Sequence, residues 1–442
     1  MEAAATTPTK PLWKRPSVLR LLAIALLAEI GYAVLNISAM PVYLKFDRHM
    51  SASVISLVLV AFLLSEAVMK SPMGHLADRL GRKRLIVIGP ALTFFTALLT
   101  LAVPHDAGAW EVLGLVFLRI LDGVGAAMLW PAAFALMGET VSDKERQQAM
   151  SLLNMCYLLG VGLALPIGGL ANQAFGAMLR PWTGDRSPSF FLAALLFAAV
   201  AITAYRFLPS SRTTETHHEE AQEGFKFGEL VAVARRIPAY LSLAVVTFAG
   251  IGFPMAIIKI FAEKQFGMGE AAFGFLVLPG AAAMAFLSVP MSRFGEHMGR
   301  ARAVHVGLFL CMAGMGLIAM GAFFPFLRHA WLLAIGGIPV GLGFLLAIPA
   351  WFASVSDVDP KRRAANLGAV MTAQGLGAII GAPLGGLFYE QFQRVDVDFG
   401  RYSPFLGTTA CLTVGWLLSL KILHKDPVPA PIYPPEAPVR PD

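Results

Sequence analysis

Long apolar stretches alternate with short polar segments along the whole chain. Twelve stretches reach the roughly 20 residues that an α-helix needs to cross the hydrocarbon core of a bilayer, and the longest polar stretch separates them into two groups of six. The predicted spans are 18–44, 52–73, 85–104, 109–138, 148–172 and 188–208 in the first group, and 236–263, 271–291, 303–324, 329–354, 364–388 and 402–424 in the second. The pattern predicts an all-α membrane protein with twelve transmembrane helices in two six-helix lobes.

The same boundaries predict the domain organisation. A cytoplasmic N-terminal tail at 1–17 precedes the first lobe at 18–208, a cytoplasmic linker at 209–235 leads to the second lobe at 236–424, and residues 425–442 form a cytoplasmic C-terminal tail. The second tail is proline-rich, which is typical of disorder. The linker is compatible with a solvated connection or with an amphipathic helix in the membrane interface. Its adjacent His217 and His218 lack further ligands nearby, so we predict no metal site.

Composition supports the membrane assignment. Hydrophobic residues make up 57% of the chain and charged residues 14%, whereas a soluble domain carries roughly 25% charged residues. The net charge of +7 would favour nucleic acid as a partner in a soluble protein, but here the basic residues flank spans, so no nucleic-acid partner is expected. The three cysteines lie inside apolar stretches and are predicted to be buried thiols.

The distribution of lysine and arginine predicts the orientation. If the N-terminus is cytoplasmic, the loops on the opposite side hold eight of the 35 basic residues, and most of the others lie on the cytoplasmic side. Because basic residues concentrate in cytoplasmic segments, both termini are predicted to be cytoplasmic in a plasma (inner) membrane. The first apolar stretch resembles a signal peptide, but Glu29 interrupts it and no clear cleavage site follows, so we expect it to be kept as a span.

Two sequence matches indicate an internal repeat. The segment Pro72–Arg84 after span two matches Pro290–Arg302 after span eight in its Pro, Met, acidic, Gly and Arg positions. The segment Leu165–Leu170 in span five matches Ala382–Leu387 in span eleven at nearly the same sequence offset. Parallel repeats with a binding site between the halves are a transporter architecture.

The loop after span two reads Gly74-His-Leu-Ala-Asp78-Arg79-Leu-Gly81-Arg82-Lys83-Arg84. This loop resembles the signature of the major facilitator superfamily at every defined position, and the resemblance extends over nearly the whole chain. It implies a twelve-span secondary transporter that works by alternating access. It also implies a conformational latch made by the loop residues Gly74, Asp78, Arg79, Gly81, Arg82, Lys83 and Arg84, with Glu139 as a partner.

The latch has a physical rationale. Glycines permit a tight turn, and the resemblance puts Asp78 against the N-terminus of span eleven, near Ala364–Asn366, where an anion is favoured. Arg82 is expected to reach Glu139 at the inner end of span four. The simpler alternative is that the basic residues only set topology, although topology requires neither the glycines nor Asp78.

Span four carries Arg119-Ile-Leu-Asp122-Gly123-Val-Gly125-Ala126-Ala127. This motif resembles one associated with proton-coupled members of the superfamily, with Asp122 where glutamine is usual. A cation deep in a span is costly and usually functional, and Asp122 lies one turn away and can pair with it. A static structural ion pair remains the alternative. The drug/proton antiporter signature of span five is degenerate here, because Ala164-Leu165 replace Gly-Pro before Gly168-Gly169.

Span one carries a membrane-buried carboxylate, Glu29, with Tyr32 and Asn36 on the same helix face. Burial disfavours the charged form of a carboxylate, which suits a group that binds and releases a proton; contact with a cationic substrate and a fixed pair with Arg119 are the alternatives. Glu66 is a further candidate, although Lys70 can neutralise it, and Lys259 and Glu263 are predicted to form a similar pair. Aromatic and amide side chains that can line the cavity are Trp130, Trp351, Tyr157, Asn154 and Gln374.

The leading hypothesis is proton-coupled efflux of small or amphipathic molecules by a monomeric transporter surrounded by membrane lipids. The proposed proton-coupling and substrate residues are Glu29, Tyr32, Asn36, Glu66, Arg119, Asp122 and Trp130. No nucleotide-binding loop and no catalytic or metal constellation occurs, so neither an ATP-driven pump nor an enzyme is predicted, and the proton gradient is the expected energy source without a cofactor. A lipid or glycolipid flippase, a nutrient importer and a membrane sensor are the alternatives.

Overall fold

A computed structural model describes residues 12–141, 143–209, 237–358 and 363–423. Most of the predicted linker and of both tails therefore lies outside the described residues. The described residues form helices and no strands, and twelve of these helices are long and apolar enough to cross a membrane. An all-α protein with twelve membrane spans is confirmed.

The helices follow one another in two sets of six. In the N-terminal lobe they are α1 (Pro16–Asp47), α2 (Ala52–Leu80), α3 (Arg82–Ala102), α4 (Ala109–Thr140), α5 (Asp143–Leu179) and α6 (Pro188–Phe207). In the C-terminal lobe they are α7a (Pro238–Met255), the short α7b (Ile258–Phe266), α8 (Glu270–Met298), α9 (Arg300–Ala319), α10 (Trp331–Val358), α11 (Arg363–Gln393) and α12 (Val397–Ile422). Because each lobe has six spans, the start of α1 and the end of α12 lie at one end of the bundle, here called the terminal end; the other is the distal end.

Two boundaries differ from the sequence prediction for local reasons. The predicted loop 74–84 contracts to a single residue, since α2 ends at Leu80, α3 begins at Arg82, and Gly81 between them has a φ of 94°. Only glycine adopts such a backbone at little cost. Predicted span seven divides into α7a and α7b, because α7a ends at Met255 immediately after Pro254 and proline disrupts helix hydrogen bonding.

Glycines set the close approaches of helices in both lobes, at matching positions. A Cβ on Gly89 would collide with the backbone oxygen of Gly125, and a Cβ on Gly307 would collide with that of Gly343. The first pair joins α3 to α4 and the second joins α9 to α10. The offset between the two pairs is the one that relates Pro72 to Pro290. The sequence repeat is therefore also a repeat of packing.

The lobes meet through two helix pairs, α5 with α8 and α2 with α11. On α5, Gly169 lies against the backbone of Ala271, and Gly274 of α8 lies against Pro166. On α11, Gly386 lies against Ala52 and Ser56 of α2. These positions are near the distal end, so small residues allow the two lobes to approach closely there.

We expect Gly381→Val in α11 to destabilise the protein by about 1–3 kcal/mol, the usual cost of overpacking. A Cβ at Gly381 would collide with the backbone of Ala249 in α7a, whereas a Cβ at Gly375 in the same helix meets nothing within 4 Å. Gly375→Val is therefore the matched control. Thermal unfolding of the purified variants, followed with a thiol-reactive dye that labels buried cysteines on exposure, measures the difference. Equal unfolding midpoints for the two variants would contradict this account of the contact.

Candidate functional site

A buried polar cluster occupies the interior of the N-terminal lobe. Arg119 and Asp122 of α4 form an ion pair in which the side chains are 1% and 0% exposed. Asp122 accepts a hydrogen bond from Thr96 of α3, and Arg119 donates to Thr100 Oγ1 at 3.2 Å and to Asn36 Oδ1 of α1 at 3.4 Å. The cluster thus joins α1, α3 and α4. Burial of both charges is tolerated only because each is paired and hydrogen-bonded.

Tyr32 and Asn36 extend this cluster along α1. The Tyr32 hydroxyl lies 3.2 Å from Thr93 Oγ1, and Asn36 Nδ2 donates to the Tyr32 carbonyl at 3.0 Å. Glu29, one turn before Tyr32, does not take part. The alternative in which Glu29 forms a fixed pair with Arg119 is wrong, because Asp122, one turn away from Arg119 on α4, forms that ion pair.

Glu29 instead faces α5. Its side chain packs on Gly160 of α5, where a Cβ would come within 2.7 Å of the Glu29 Cβ and Cγ, and the residue is 4% exposed. The charged side chains that act on it are Glu66 and Lys70 of α2. Those two form an ion pair at 2.9 Å in which Lys70 is half exposed. Among the described residues, no cation lies within ion-pairing distance of Glu29.

Aromatic side chains lie beside the two carboxylates. Tyr157 of α5 is acted on electrostatically by both Glu29 and Glu66. Its ring centroid is 5.6 Å from that of Trp130 of α4, in an edge-to-face arrangement. Trp130 itself is buried, whereas Tyr157 is 42% exposed. The two acids and two aromatic rings form a mixed surface contributed by α1, α2, α4 and α5, here called the acidic–aromatic face.

The segment predicted to form the latch is partly described. Arg82 forms an ion pair with Glu139 of α4, and Lys83 lies over the ring of Tyr205 at 5.6 Å. Arg79 and Arg84 are exposed. The Asp78 side chain and those of Ala364–Asn366 lie outside the described residues. Gly74 does not contribute to the turn, because it lies within α2; Gly81 alone supplies the turn.

An ionic network joins the lobes at the distal end. Arg186, between α5 and α6, contacts Asp47 Oδ1 at 3.0 Å within its own lobe, and Glu263 Oε1 at 3.1 Å and Glu270 Oε1 at 3.3 Å in the other lobe. Its guanidinium also lies 4.4 Å from the centroid of the Phe46 ring. Burial raises the pKa of the Glu263 carboxyl, and the charge of Arg186 acts in the opposite direction. One arginine therefore bridges three carboxylates across the lobe interface.

Lys259 of α7b adds a second bridge at this end. Its ammonium donates to the Ser38 carbonyl at 2.8 Å and to Ser38 Oγ at 3.0 Å, and it pairs with Glu270 at 3.3 Å. Asn172 Nδ2 of α5 donates to the same carboxylate at 3.0 Å. Lys259 thus pairs with Glu270, and Glu263 pairs with Arg186, in place of the predicted Lys259–Glu263 pair. The reason is that α8 brings the Glu270 carboxylate to the Lys259 ammonium.

A carboxylate also caps a helix across the interface. Glu390 of α11 accepts hydrogen bonds from the backbone amide of Ala52 and from the amide and hydroxyl of Ser53, the last at 2.7 Å. These are the first residues of α2, where the unpaired amides and the helix dipole favour an anion. This is the type of contact that the sequence predicts for Asp78 and α11 at the terminal end. At the distal end, α11 supplies the carboxylate and α2 supplies the capped N-terminus.

Sequence reasoning missed Asp47, Arg186, Glu270 and Glu390 because each is an ordinary charged residue near a span end. Their local sequence carries no motif, and their partners lie far away in the chain. Within the described residues, no group of three His, Cys, Asp or Glu side chains is arranged to hold a metal ion.

The model of the Major Facilitator Superfamily matches residues 21–325 and 240–441. The chain belongs to the Major Facilitator Superfamily. This member of the superfamily is therefore a transporter and, with its twelve spans, a multi-pass membrane protein.

Curated relatives of this superfamily member include a multidrug resistance protein and an antiporter flippase. It is 24% identical over 417 residues to Multidrug resistance protein 2 of Bacillus subtilis (strain 168), covering 91% of this chain and 95% of the relative. It is 22% identical over 352 residues to the Proton-coupled antiporter flippase LtaA of Staphylococcus haemolyticus (strain JCSC1435), covering 79% and 81%. Among solved structures, the nucleoside transporter NupG superposes with a TM-score of 0.71 at 13% identity, covering 92% of this chain and 99% of that one.

Proposed function

We propose that this transporter exports small amphipathic cations in exchange for protons, with Glu29 as the proton-binding group. The observation that carries the proposal is the position of Glu29, which is 4% exposed and has no ion-pair partner among the described residues. Burial disfavours a charged carboxylate unless a proton or a cation neutralises it. Binding a proton and binding a cationic substrate are therefore mutually exclusive ways to neutralise the site, which is the requirement for antiport.

The acidic–aromatic face supports an amphipathic cation as cargo. Glu29 and Glu66 supply negative charge, and the rings of Trp130 and Tyr157 supply apolar surface whose faces attract cations. Multidrug resistance protein 2, the relative named above, is consistent with cargo of this class. The proposed site needs no cofactor, and its energy source is the proton gradient.

We assign the Arg119–Asp122 cluster to coupling within the N-terminal lobe. It joins α1, which carries Glu29, to α3 and α4 through hydrogen bonds to Asn36, Thr96 and Thr100. A change in the charge of Glu29 can then be transmitted to the position of α4, which carries Trp130. This role is distinct from that of Glu29, because both charges of the cluster are already neutralised by each other.

Alternating access requires two sets of contacts that do not close together. The distal contacts through Arg186, Lys259 and Glu390 favour a state closed at the distal end. The segment around Gly81, with Asp78, is assigned to closing the terminal end, and the Arg82–Glu139 pair, which lies within the N-terminal lobe, is assigned to holding that segment in position. The excess of basic residues on the terminal side supports cytoplasmic termini in a plasma membrane, so the distal end would face outward.

We expect Glu29→Gln to abolish the dependence of transport on an imposed pH gradient, because glutamine cannot exchange a proton. The probe is ethidium, a fluorescent amphipathic cation, in proteoliposomes with and without the gradient. Wild-type protein should transport ethidium at least about tenfold faster with the gradient, consistent with a coupling of about 1.4 kcal/mol or more. The variant should show the same rate in both conditions.

Glu111→Gln is the matched control. Glu111 is similarly buried, at 6% exposed, but Arg48 holds its carboxylate at 2.6 Å, so proton exchange there should be irrelevant and the gradient dependence should remain. Gradient-independent transport by wild type, or gradient-dependent transport by Glu29→Gln, would refute the antiport proposal.

The flippase is the second candidate, favoured by the name of the Staphylococcus haemolyticus relative. The same proteoliposomes with a fluorescent headgroup-labelled phospholipid separate the two functions. A flippase would move the labelled lipid between leaflets in a Glu29-dependent manner, whereas an exporter of soluble cations would leave the lipid distribution unchanged.

A further inference from the structure

A cation lies beside the two carboxylates of the acidic–aromatic face. Lys70 of α2 pairs with Glu66, one turn before it, at 2.9 Å; the Lys70 side chain is 52% exposed and that of Glu66 is 17% exposed. The charges of both residues act on Glu29. With Glu29 ionised, the three side chains together carry one negative charge instead of two.

The side chain of Lys70 lies toward the space between the lobes. Lys70 and Ser56 are separated by roughly four turns of α2, so they share one face of that helix. At Ser56 this face is covered by Gly386 of α11. Lys70 lies about 21 Å nearer the terminal end, and its exposure shows that α11 does not cover the face at that depth. A molecule that enters between the lobes from the terminal end therefore meets the Lys70 ammonium.

The spans of the C-terminal lobe offer no charge that offsets Lys70. No Asp, Glu, Lys or Arg occurs in their central parts, which are 238–255, 271–292, 303–322, 331–356, 364–389 and 402–420. In the N-terminal lobe, Arg119 and Asp122 neutralise each other. The charge that cargo meets between the lobes is therefore set by Glu29, Glu66 and Lys70.

We propose that Lys70 is a specificity-determining residue that restricts the acidic–aromatic face to cargo with one positive charge. Its ammonium occupies Glu66 and repels a second cationic group, because like charges interact strongly in a partly buried site of low dielectric constant. Glu29 then neutralises the single charge of a monovalent cation, and Trp130 and Tyr157 contact its apolar part. This role of Lys70 rests on the cationic cargo of the proposed function and adds the number of charges that the cargo carries.

A purely structural role for Lys70 is the alternative. A Glu and a Lys four residues apart stabilise a helix by themselves, and a lysine near the end of a span can extend its ammonium to the membrane interface. Neither role depends on the charge of the cargo. Two probes that share a ring system and differ in charge therefore separate specificity from structure.

Ethidium and propidium are these probes, because both contain the same phenanthridinium ring system and propidium carries a second, quaternary ammonium group. Fluorescence titration of the purified protein in detergent measures the affinity for each dye without a proton gradient. Wild-type protein should bind ethidium about tenfold or more tightly than propidium, as expected for one added like-charge interaction. Equal affinities for the two dyes, or the absence of saturable ethidium binding, would overturn the proposal.

Lys70→Met removes the ammonium and keeps an unbranched side chain. Its affinity for propidium should rise about tenfold relative to its affinity for ethidium, because Glu66 becomes available to the second cationic group. Lys70→Arg keeps the charge and should retain the wild-type preference. An unchanged preference in Lys70→Met, or a lost preference in Lys70→Arg, would show that the charge at this position does not select cargo.

The double variant Lys70→Met/Glu66→Gln returns the face to one carboxylate, so the preference for ethidium should return to that of wild type. A double variant that binds propidium as well as Lys70→Met does would overturn the proposal, since space and not charge would then explain the gain. Arg302→Met is the matched control, because Arg302 is an exposed cation at the start of α9, at the terminal end of the other lobe. Loss of the preference in this variant would attribute it to overall surface charge and contradict the role of Lys70.

The titrations and the pH-gradient experiment can fail separately. Transport that ignores the gradient would refute proton exchange, while the dye preference of Lys70→Met would still decide the role of Lys70. The same dye preference in wild type and Lys70→Met would refute that role and leave proton exchange at Glu29 intact. Size-exclusion profiles establish that each variant is folded.

Discussion

Replacing Asp122 with alanine is expected to destabilise the protein by about 3–5 kcal/mol, the usual cost of breaking a buried ion pair on one side. The substitution leaves the Arg119 guanidinium, whose side chain is 1% exposed, without a counter-charge. Thr100 and Asn36 can still accept its hydrogen bonds, but neither is charged. The expected result is a marked fall of the thermal unfolding midpoint. A thiol-reactive dye can follow it, because Cys156 and Cys311 are buried.

The double variant Arg119→Met/Asp122→Leu separates stability from transport. Removing both charges abolishes the desolvation cost, so its stability should return close to that of wild type, while ethidium transport should remain lost if the pair couples α1 to α4. Asp185→Ala is the control, because the Arg180–Asp185 pair lies on the surface and its loss should not measurably change the midpoint. A wild-type midpoint in Asp122→Ala would refute the assignment of this pair as a paired, buried charge cluster.

Replacing Arg186 with alanine is expected to shift the protein toward a state open at the distal end. Arg186 bridges Asp47 in one lobe to Glu263 and Glu270 in the other, and charge-assisted hydrogen bonds contribute about 1.5–3 kcal/mol each. Loss of about 2–3 kcal/mol from the closed state changes the ratio of the two states by about 30- to 150-fold. The carboxylates then repel one another across the interface.

Distances between spin labels at His105 and Phe326 measure this shift, since both residues are exposed in distal loops of opposite lobes. The population with the longer distance should rise in Arg186→Ala and rise less in Arg186→Lys, which keeps the charge. Arg180→Ala in the same connection is the matched control. Because burial raises the pKa of Glu263 in the closed state, acidification toward that pKa should restore closure in Arg186→Ala. An unchanged distance distribution would rule out a closing role for Arg186.

Local sequence was sufficient where the partners are close in the chain. The Arg119–Asp122 pair could be predicted because residues three apart lie on one face of a helix, and Gly81 could be predicted as part of a turn because few other residues tolerate its backbone. Gly74, in the same motif, was assigned to that turn but lies within α2. The motif alone does not state where the helix ends.

Long-range contacts were not predictable in the same way. The sequence leaves open whether Glu29 faces Arg119 or another group. The packing of α1 against α2 and α5 places Glu29 near Glu66 and in contact with Gly160. Asp47 ends α1, Arg186 lies between α5 and α6, and Glu270 begins α8, so their meeting depends on how the lobes are oriented at the distal end.

By itself the sequence determined that the chain crosses the bilayer twelve times as two repeated halves. The reason is that twelve apolar stretches, each long enough to span the hydrocarbon core, are stable as helices surrounded by lipid. It also determined the family, through motifs that are continuous in the chain. Only the tertiary structure decided which charges neutralise one another and which buried carboxylate, Glu29, has no ion-pair partner among the described residues. The physical reason is that spacing along one helix fixes only neighbours one turn apart, whereas ion pairs and cavities depend on how separate helices pack.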